Sequence, residues 1–154
     1  MMIDQPFTVR SLALRNRIVM PPMCMFSSDA TGVAQDFHRL HYGARAMGGT
    51  ALVIEEATAV TPEGRISDRD LGIWDDAQIP GLAELVRLIH GGGAAAGIQL
   101  AHAGRKSGSA SRPLIGPSAV AFDEKSRVPK EMDASDIARV VAAFRDGAAR
   151  ALAA

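Results

Sequence analysis

Gly97-Ile98-Gln99-Leu100-Ala101-His102-Ala103-Gly104-Arg105 begins as a short apolar strand and ends polar, with an amide, an imidazole, a glycine and a guanidinium. In parallel α/β folds ligands sit at the carboxyl ends of strands, so polar groups gathered there read as binding groups. The same pattern recurs upstream, less densely. Ala51-Leu52-Val53-Ile54 is a continuous apolar run, as a strand buried on both faces requires, and Glu55-Glu56-Ala57-Thr58 turns polar behind it. Ile18-Val19-Met20 is a short β-prone run closed by Pro21-Pro22, because proline cannot donate to a ladder.

Helical patterns lie between these runs. Gln35 to Met47 is a helix candidate in which Phe37, Leu40, Ala44 and Met47 share one apolar face. Gly48-Gly49 ends it. Pro80 suits the first turn of a second helix, along which Ile79, Leu82, Leu85, Val86 and Ile89 form a stripe. A third helix starts behind Asp133 as N-cap, with Asp136 three residues on, Met132 and Ile137 placed as a staple, and an apolar face of Ile137, Val140, Val141, Phe144, Ala148 and Ala151. Phe7 to Leu14 reads as a small hairpin or cap. Long loops run from Ala59 to about Asp76 and from Ala101 to Glu131, the latter holding Pro113, Pro117 and Pro129 without periodicity.

The order is strand, helix, strand, helix, strand, helix, with strand starts spaced by 33 and 46 residues. This predicts an α/β fold with parallel strands and right-handed crossovers. A small doubly wound sheet and part of a (βα)8 barrel both satisfy it. No Gly-x-Gly-x-x-Gly follows the first strand, which disfavours a Rossmann half, and the long loops all follow strands, as barrel active-site loops do. A complete barrel takes ~250 residues. On the barrel solution the 154 residues here would supply three of its eight units, a single partial domain expected over 1–154 and ending before strand four.

Hydrophobic residues make up 47% and charged residues 22%, the balance of an ordinary globular domain. The formal net charge is zero, so no basic field argues for nucleic acid. Met1 to Arg10 has no apolar core of signal-peptide length, and no apolar run approaches the ~20 residues of a membrane span. Cys24 is the single cysteine, which excludes an internal disulfide and a multi-cysteine metal site. These features together lead us to expect a cytoplasmic protein with neither nucleic-acid nor membrane partners.

Five ordered motifs then become specific: Leu14 to Met25, Glu56 to Arg65, Asp70 to Trp74, Gln99 to Lys106, and Gly116 to Ala119. The set resembles the old yellow enzymes, FMN-dependent ene-reductases on a (βα)8 barrel, and the Cys-bearing first strand is similar to the bacterial NADPH dehydrogenase and xenobiotic-reductase branch. The resemblance implies FMN as cofactor, NADPH or NADH as reductant, and a small electrophilic alkene as substrate, in a protein that is a homo-oligomer when complete. It implies that Pro21, Pro22, Met23 and Cys24 line the flavin, that Ala57 touches it from the end of strand two, and that Gln99 holds its pyrimidine edge. The chemistry suits each role. A primary amide both donates and accepts, and a thiol beside the reactive flavin nitrogen tunes its potential. Phe26 stands where the branch usually has Tyr, so the substrate-binding position keeps its ring and loses a donor. The family's catalytic substrate-binding pair follows strand four and its phosphate site comes from the last strands, so no catalytic residue is expected up to Ala154.

Other residues have plainer readings. His38 and His41, three apart on one helix, lack a third metal ligand and read as structural. His102 organises its loop. Arg105 pairs with a loop carboxylate, and Asp68-Arg69-Asp70 forms a solvated ion-pair patch. A second reading treats the chain as a non-catalytic partial barrel that acts by association, because its first and third strands leave open edges.

Overall fold

A computed structural model describes residues 2–109 and 113–154 of the chain. β1 (Phe7–Val9) and β2 (Leu12–Leu14) form an antiparallel hairpin with Phe7 opposite Leu14. β3 (Val19–Met20), β4 (Leu52–Ala59) and β5 (Ala95–Ala101) form a parallel sheet in the order β3-β4-β5. The strands expected at Ile18, Ala51 and Gly97 are therefore adjacent, parallel and in sequence order, with their carboxyl ends together. β4 outruns its apolar stretch because Glu55, Glu56 and Thr58 are buried within the ladder.

α1 (Asp36–Met47), α2 (Ile79–Gly91) and α3 (Ala134–Ala153) cover one face of the sheet. Pro80 sits in the first turn of α2, and Leu82, Leu85 and Ile89 of its stripe are buried. The carboxylate of Asp133 accepts from the Ser135 and Asp136 amides, capping α3 as its sequence requires. Met20, Tyr42, Val53, Val60, Leu71, Ile73, Leu82, Leu85 and Ile89 fill the core between sheet and helices. The loop after β5 is not wholly irregular: β6 (Ile115–Gly116) pairs in parallel with β7 (Lys130–Glu131). Two residues a side are too few to show periodicity. Positions 110–112 of that loop lie outside the described residues.

Two helix faces differ from their sequence reading. On α1, Phe37, Leu40, Ala44 and Met47 face outward, Leu40 and Met47 each being 75% exposed. The buried face carries His38, His41, Tyr42, Gly43 and Ala46 instead. Its orientation is set by hydrogen bonds between Tyr42 and Glu56 of the sheet and by small residues toward α2. A Cβ on Gly92, just past α2, would stand 2.6 Å from that of Ala46. On α3, Ala143, Phe144 and Ala151 pack on the core, while Ile137, Val141 and Leu152 are exposed. Gly147 is the closest approach, where an added Cβ would stand 3.0 Å from Val60.

Candidate active site

The site lies at the carboxyl ends of β3, β4 and β5, and a β-bulge shapes it. Glu55 is opposite Ile98, yet Ala57 is opposite Gln99, so Glu56 is an extra residue with no partner in the ladder. A bulge re-aims side chains. Here it restores the alternation after Glu56 and leaves Ala57 and Gln99 as neighbours. Gln99 is exposed amid half-buried strand residues, an amide presented on the open face of the sheet.

The segment after β3 closes the other side. Pro21 is exposed, Pro22 half-buried, and Met23 exposed. Cys24 is half-buried and reduced. Burial pushes its thiol up, the negative charges of Asp70 and Glu56 add to this, and the backbone amides of Ala57 and of Cys24 itself oppose it. The Ala57 backbone amide on the Cys24 thiol sets the two residues side by side, so three strands bring Cys24, Ala57 and Gln99 together. Phe26 is exposed and holds a left-handed backbone at φ 50°. A bulky residue adopts that conformation only where its neighbours dictate it. They do: the Met25 amide donates to Glu56 Oε2 at 2.8 Å, and the Ser28 amide donates to the Arg69 carbonyl at 3.0 Å.

The loop after β4 is built on buried charge. Asp70, read from sequence as part of a solvated patch, is buried and accepts from the Ile66 amide at 2.6 Å, the Ser67 amide at 3.2 Å and the Ser67 hydroxyl at 2.9 Å. The loop folds back on its own amides, and no solvent is left to screen the carboxylate. Arg65, 2% exposed, donates to the carbonyls of Pro62, Ala30 and Asp68 and lies over the Trp74 ring. Arg105 also departs from its reading. It donates to the Ala121 carbonyl and lies over Phe122, because the segment it faces offers backbone and an aromatic ring rather than a carboxylate. His102 acts as expected: its Nδ1 accepts from the Gly104 amide at 3.1 Å, closing the turn out of β5. His38 and His41 are buried in α1, and no metal-binding cluster occurs among the described residues.

Sequence reading missed Glu56, Tyr42, Asp70 and Arg65 as site-shaping groups. One signal was present. A Glu-Glu pair inside an apolar strand must be buried, and buried carboxyls need partners.

Residues 3–154 match the NADH:flavin oxidoreductase / NADH oxidase family. The chain is 58% identical over 147 residues to an NADPH dehydrogenase of Geobacillus thermodenitrificans (strain NG80-2), covering 95% of this chain and 43% of that one. It is 48% identical over 151 residues to an NADPH dehydrogenase of Clostridium acetobutylicum, covering 98% and 44%. Among solved structures it superposes on morphinone reductase with a TM-score of 0.87 at 27% identity, covering 97% of this chain and 44% of that one. It superposes on the Old Yellow Enzyme from Pichia sp. AKU4542 with a TM-score of 0.90 at 25% identity, covering 98% and 42%. The chain thus spans less than half the length of the relatives it matches. On this match over nearly its whole length, the chain belongs to the NADH:flavin oxidoreductase / NADH oxidase family, whose cofactors are FMN and NAD(P)H, and its three parallel strands are the first three of that family's (βα)8 barrel.

Proposed function

We propose that this chain forms the flavin-ring half of an FMN-dependent NAD(P)H oxidoreductase acting on activated alkenes such as enones. The observation that carries the reading is the bulge in β4, which sets Ala57, itself buried, beside the exposed Gln99 and next to the half-buried Cys24. That arrangement fits an isoalloxazine ring. Ala57 offers a flat, small-residue surface, Gln99 offers a donor and an acceptor together for a ring edge carrying both, and Cys24 offers a weak donor. Pro21, Pro22 and Met23 would complete the wall, and proline at the strand end fixes the backbone against the ring. FMN held there supplies hydride transfer from a nicotinamide to the β-carbon of the alkene. Phe26 would flank the substrate through its ring alone, so the substrate's oxygen takes no hydrogen bond from this position. In a whole barrel of this family those donors would come from later strands. The complete protein would work in the cytoplasm, as a homo-oligomer.

The test joins residues 1–154 to the remaining strands of the Geobacillus relative and measures FMN content and NADPH-dependent reduction of 2-cyclohexenone. The expected result is a flavin-loaded protein with turnover, and loss of FMN in the Gln99→Leu variant. A folded chimera that holds no flavin, or whose flavin ignores Gln99→Leu, overturns the assignment.

One observation favours the second reading, a non-catalytic partial barrel acting by association. β3 and β5 are edge strands of a parallel sheet, and α3 leaves Ile137, Val141 and Leu152 uncovered. Open edges and apolar faces pair with other chains.

A further inference from the structure

We infer that Glu56 is the positioning residue of this site: the bulge aims its carboxylate away from the ring face and onto the Met25 amide, and that tether sets where Cys24 and Phe26 stand. The claim rests on the reading of that face as the flavin and substrate face, although the tether itself is visible without it.

Glu56 is 1% exposed, and donors from two elements converge on it. Its Oε2 accepts from the Met25 amide at 2.8 Å. Its Oε1 accepts from the Tyr42 hydroxyl at 3.3 Å, while the Glu56 amide donates to that same hydroxyl at 2.9 Å. His38 Nε2 stands 3.4 Å from Oε1. His38 Nδ1 accepts from the Gln35 amide at 3.0 Å, so the ring's proton lies on Nε2, toward Glu56. Tyr42 thus pins the carboxylate from α1, with His38 Nε2 beside it making no hydrogen bond, and the other oxygen holds the segment after β3. The hold is local and specific. Met25 lies between Cys24 and Phe26, and its carbonyl is also taken, by the Ser27 hydroxyl at 3.0 Å. With Ser28 fastened to Arg69, the left-handed backbone of Phe26 is clamped on both sides. A merely space-filling residue at 56 would do none of this, since a carboxylate is the group that accepts several charge-assisted bonds at once.

The charge has a second consequence. Glu56 from β4 and Asp70 from the loop after it are the anionic groups that bear on Cys24, and both hold its thiol up, after burial. Glu55, the neighbouring carboxyl, lines the groove between α2 and α3 with Leu82, Val86, Ile98 and Leu100, and does not bear on Cys24.

The test uses the 154-residue chain and the alkylation of Cys24 by iodoacetamide, followed by mass spectrometry from pH 6 to 10. It needs no flavin. Glu56→Gln keeps an acceptor for Met25 and removes the charge, so the midpoint of the alkylation profile moves down and the rate at neutral pH rises about threefold. Glu56→Ala also frees the backbone, and the rate rises about tenfold. Glu55→Gln, a buried carboxyl facing the helices, leaves the profile unchanged. If Glu56→Ala fails to give a cooperative melt, Tyr42→Phe decides. It keeps the carboxylate and removes its anchor, so the rate rises while the midpoint stays. Alkylation profiles for Glu56→Gln and Tyr42→Phe that coincide with the parent's overturn the proposal. A Cys24 response to Glu56→Gln together with unchanged flavin affinity in Gln99→Leu would remove the flavin reading and keep the tether. The reverse pair would remove the tether alone.

Discussion

Two adjacent carboxyls, Glu55 and Glu56, sit in one strand, Glu55 in the groove between α2 and α3 and Glu56 against α1, and their chemistry diverges accordingly. Glu56 has its partners. Glu55 Oε2 has none, and burial, with the Glu56 charge beside it, pushes the Glu55 carboxyl from 4.5 up to about 8. The folded state therefore binds this proton more tightly than the unfolded chain. That contribution to stability is fully present below the unfolded value and is lost as pH rises toward 8. Thermal melts should show the melting temperature falling across this window, and Glu55→Gln should remove most of the fall. A variant with the parent's slope would take the effect away from Glu55. At Gln99 the expectation concerns the flavin. Gln99→Leu in the completed protein removes two hydrogen bonds of ~0.5–1.5 kcal/mol each, so FMN affinity should drop roughly 5- to 150-fold by fluorescence titration. Cys24→Ala should shift the flavin potential, read by spectroelectrochemistry, with little change in affinity. An unmoved potential would show that the thiol does not tune the ring.

Among the elements, α1 and α2 meet through small residues, and two neighbouring glycines separate packing from propensity. A Cβ on Gly92 would stand 2.6 Å from Ala46 Cβ and 2.8 Å from its carbonyl carbon, whereas one on Gly91 meets nothing within 4 Å. Gly92→Ala should cost ~1–3 kcal/mol by overpacking the helix pair. Gly91→Ala, in the last turn of α2, should gain up to ~1 kcal/mol from reduced freedom of the unfolded chain. Urea denaturation of both variants measures the difference, and equal effects would mean that the helices do not meet closely here. The two helix faces that sequence reading misplaced belong to this scale too. Spacing identifies which residues share a face of α1. It does not say which face turns inward, because His38 and Tyr42 earn burial through hydrogen bonds that hydropathy ranks as costs.

At the scale of the molecule, the proposed ring contacts all lie within residues 1–154, and the proposed phosphate contacts lie elsewhere in a whole barrel. A phosphate dianion draws much of a flavin's affinity from helix N-terminal amides and a cation, which the resemblance places on the last barrel strands. Residues 1–154 alone should therefore bind FMN weakly and show no enone reduction. A tight stoichiometric complex with turnover would show that three strands suffice. The exposed apolar residues of α1 and α3, Leu152 among them at 90% exposure, should also drive concentration-dependent association by sedimentation. What the sequence by itself determined is the α/β class, the order and direction of three strands, three helices with the N-cap of the last, and the family, because apolar runs, cap residues and motifs are local and act through nearest neighbours. Only the tertiary structure decided the bulge at Glu56, the burial of Asp70 and Arg65, the outward stripe of α1 and the β6–β7 pair. The bulge, the α1 stripe and the Arg65 bond to the Ala30 carbonyl depend on partners distant in the chain, while Asp70 is compensated by Ile66 and Ser67 within its own loop, and neither kind of partner leaves a periodic pattern in the sequence.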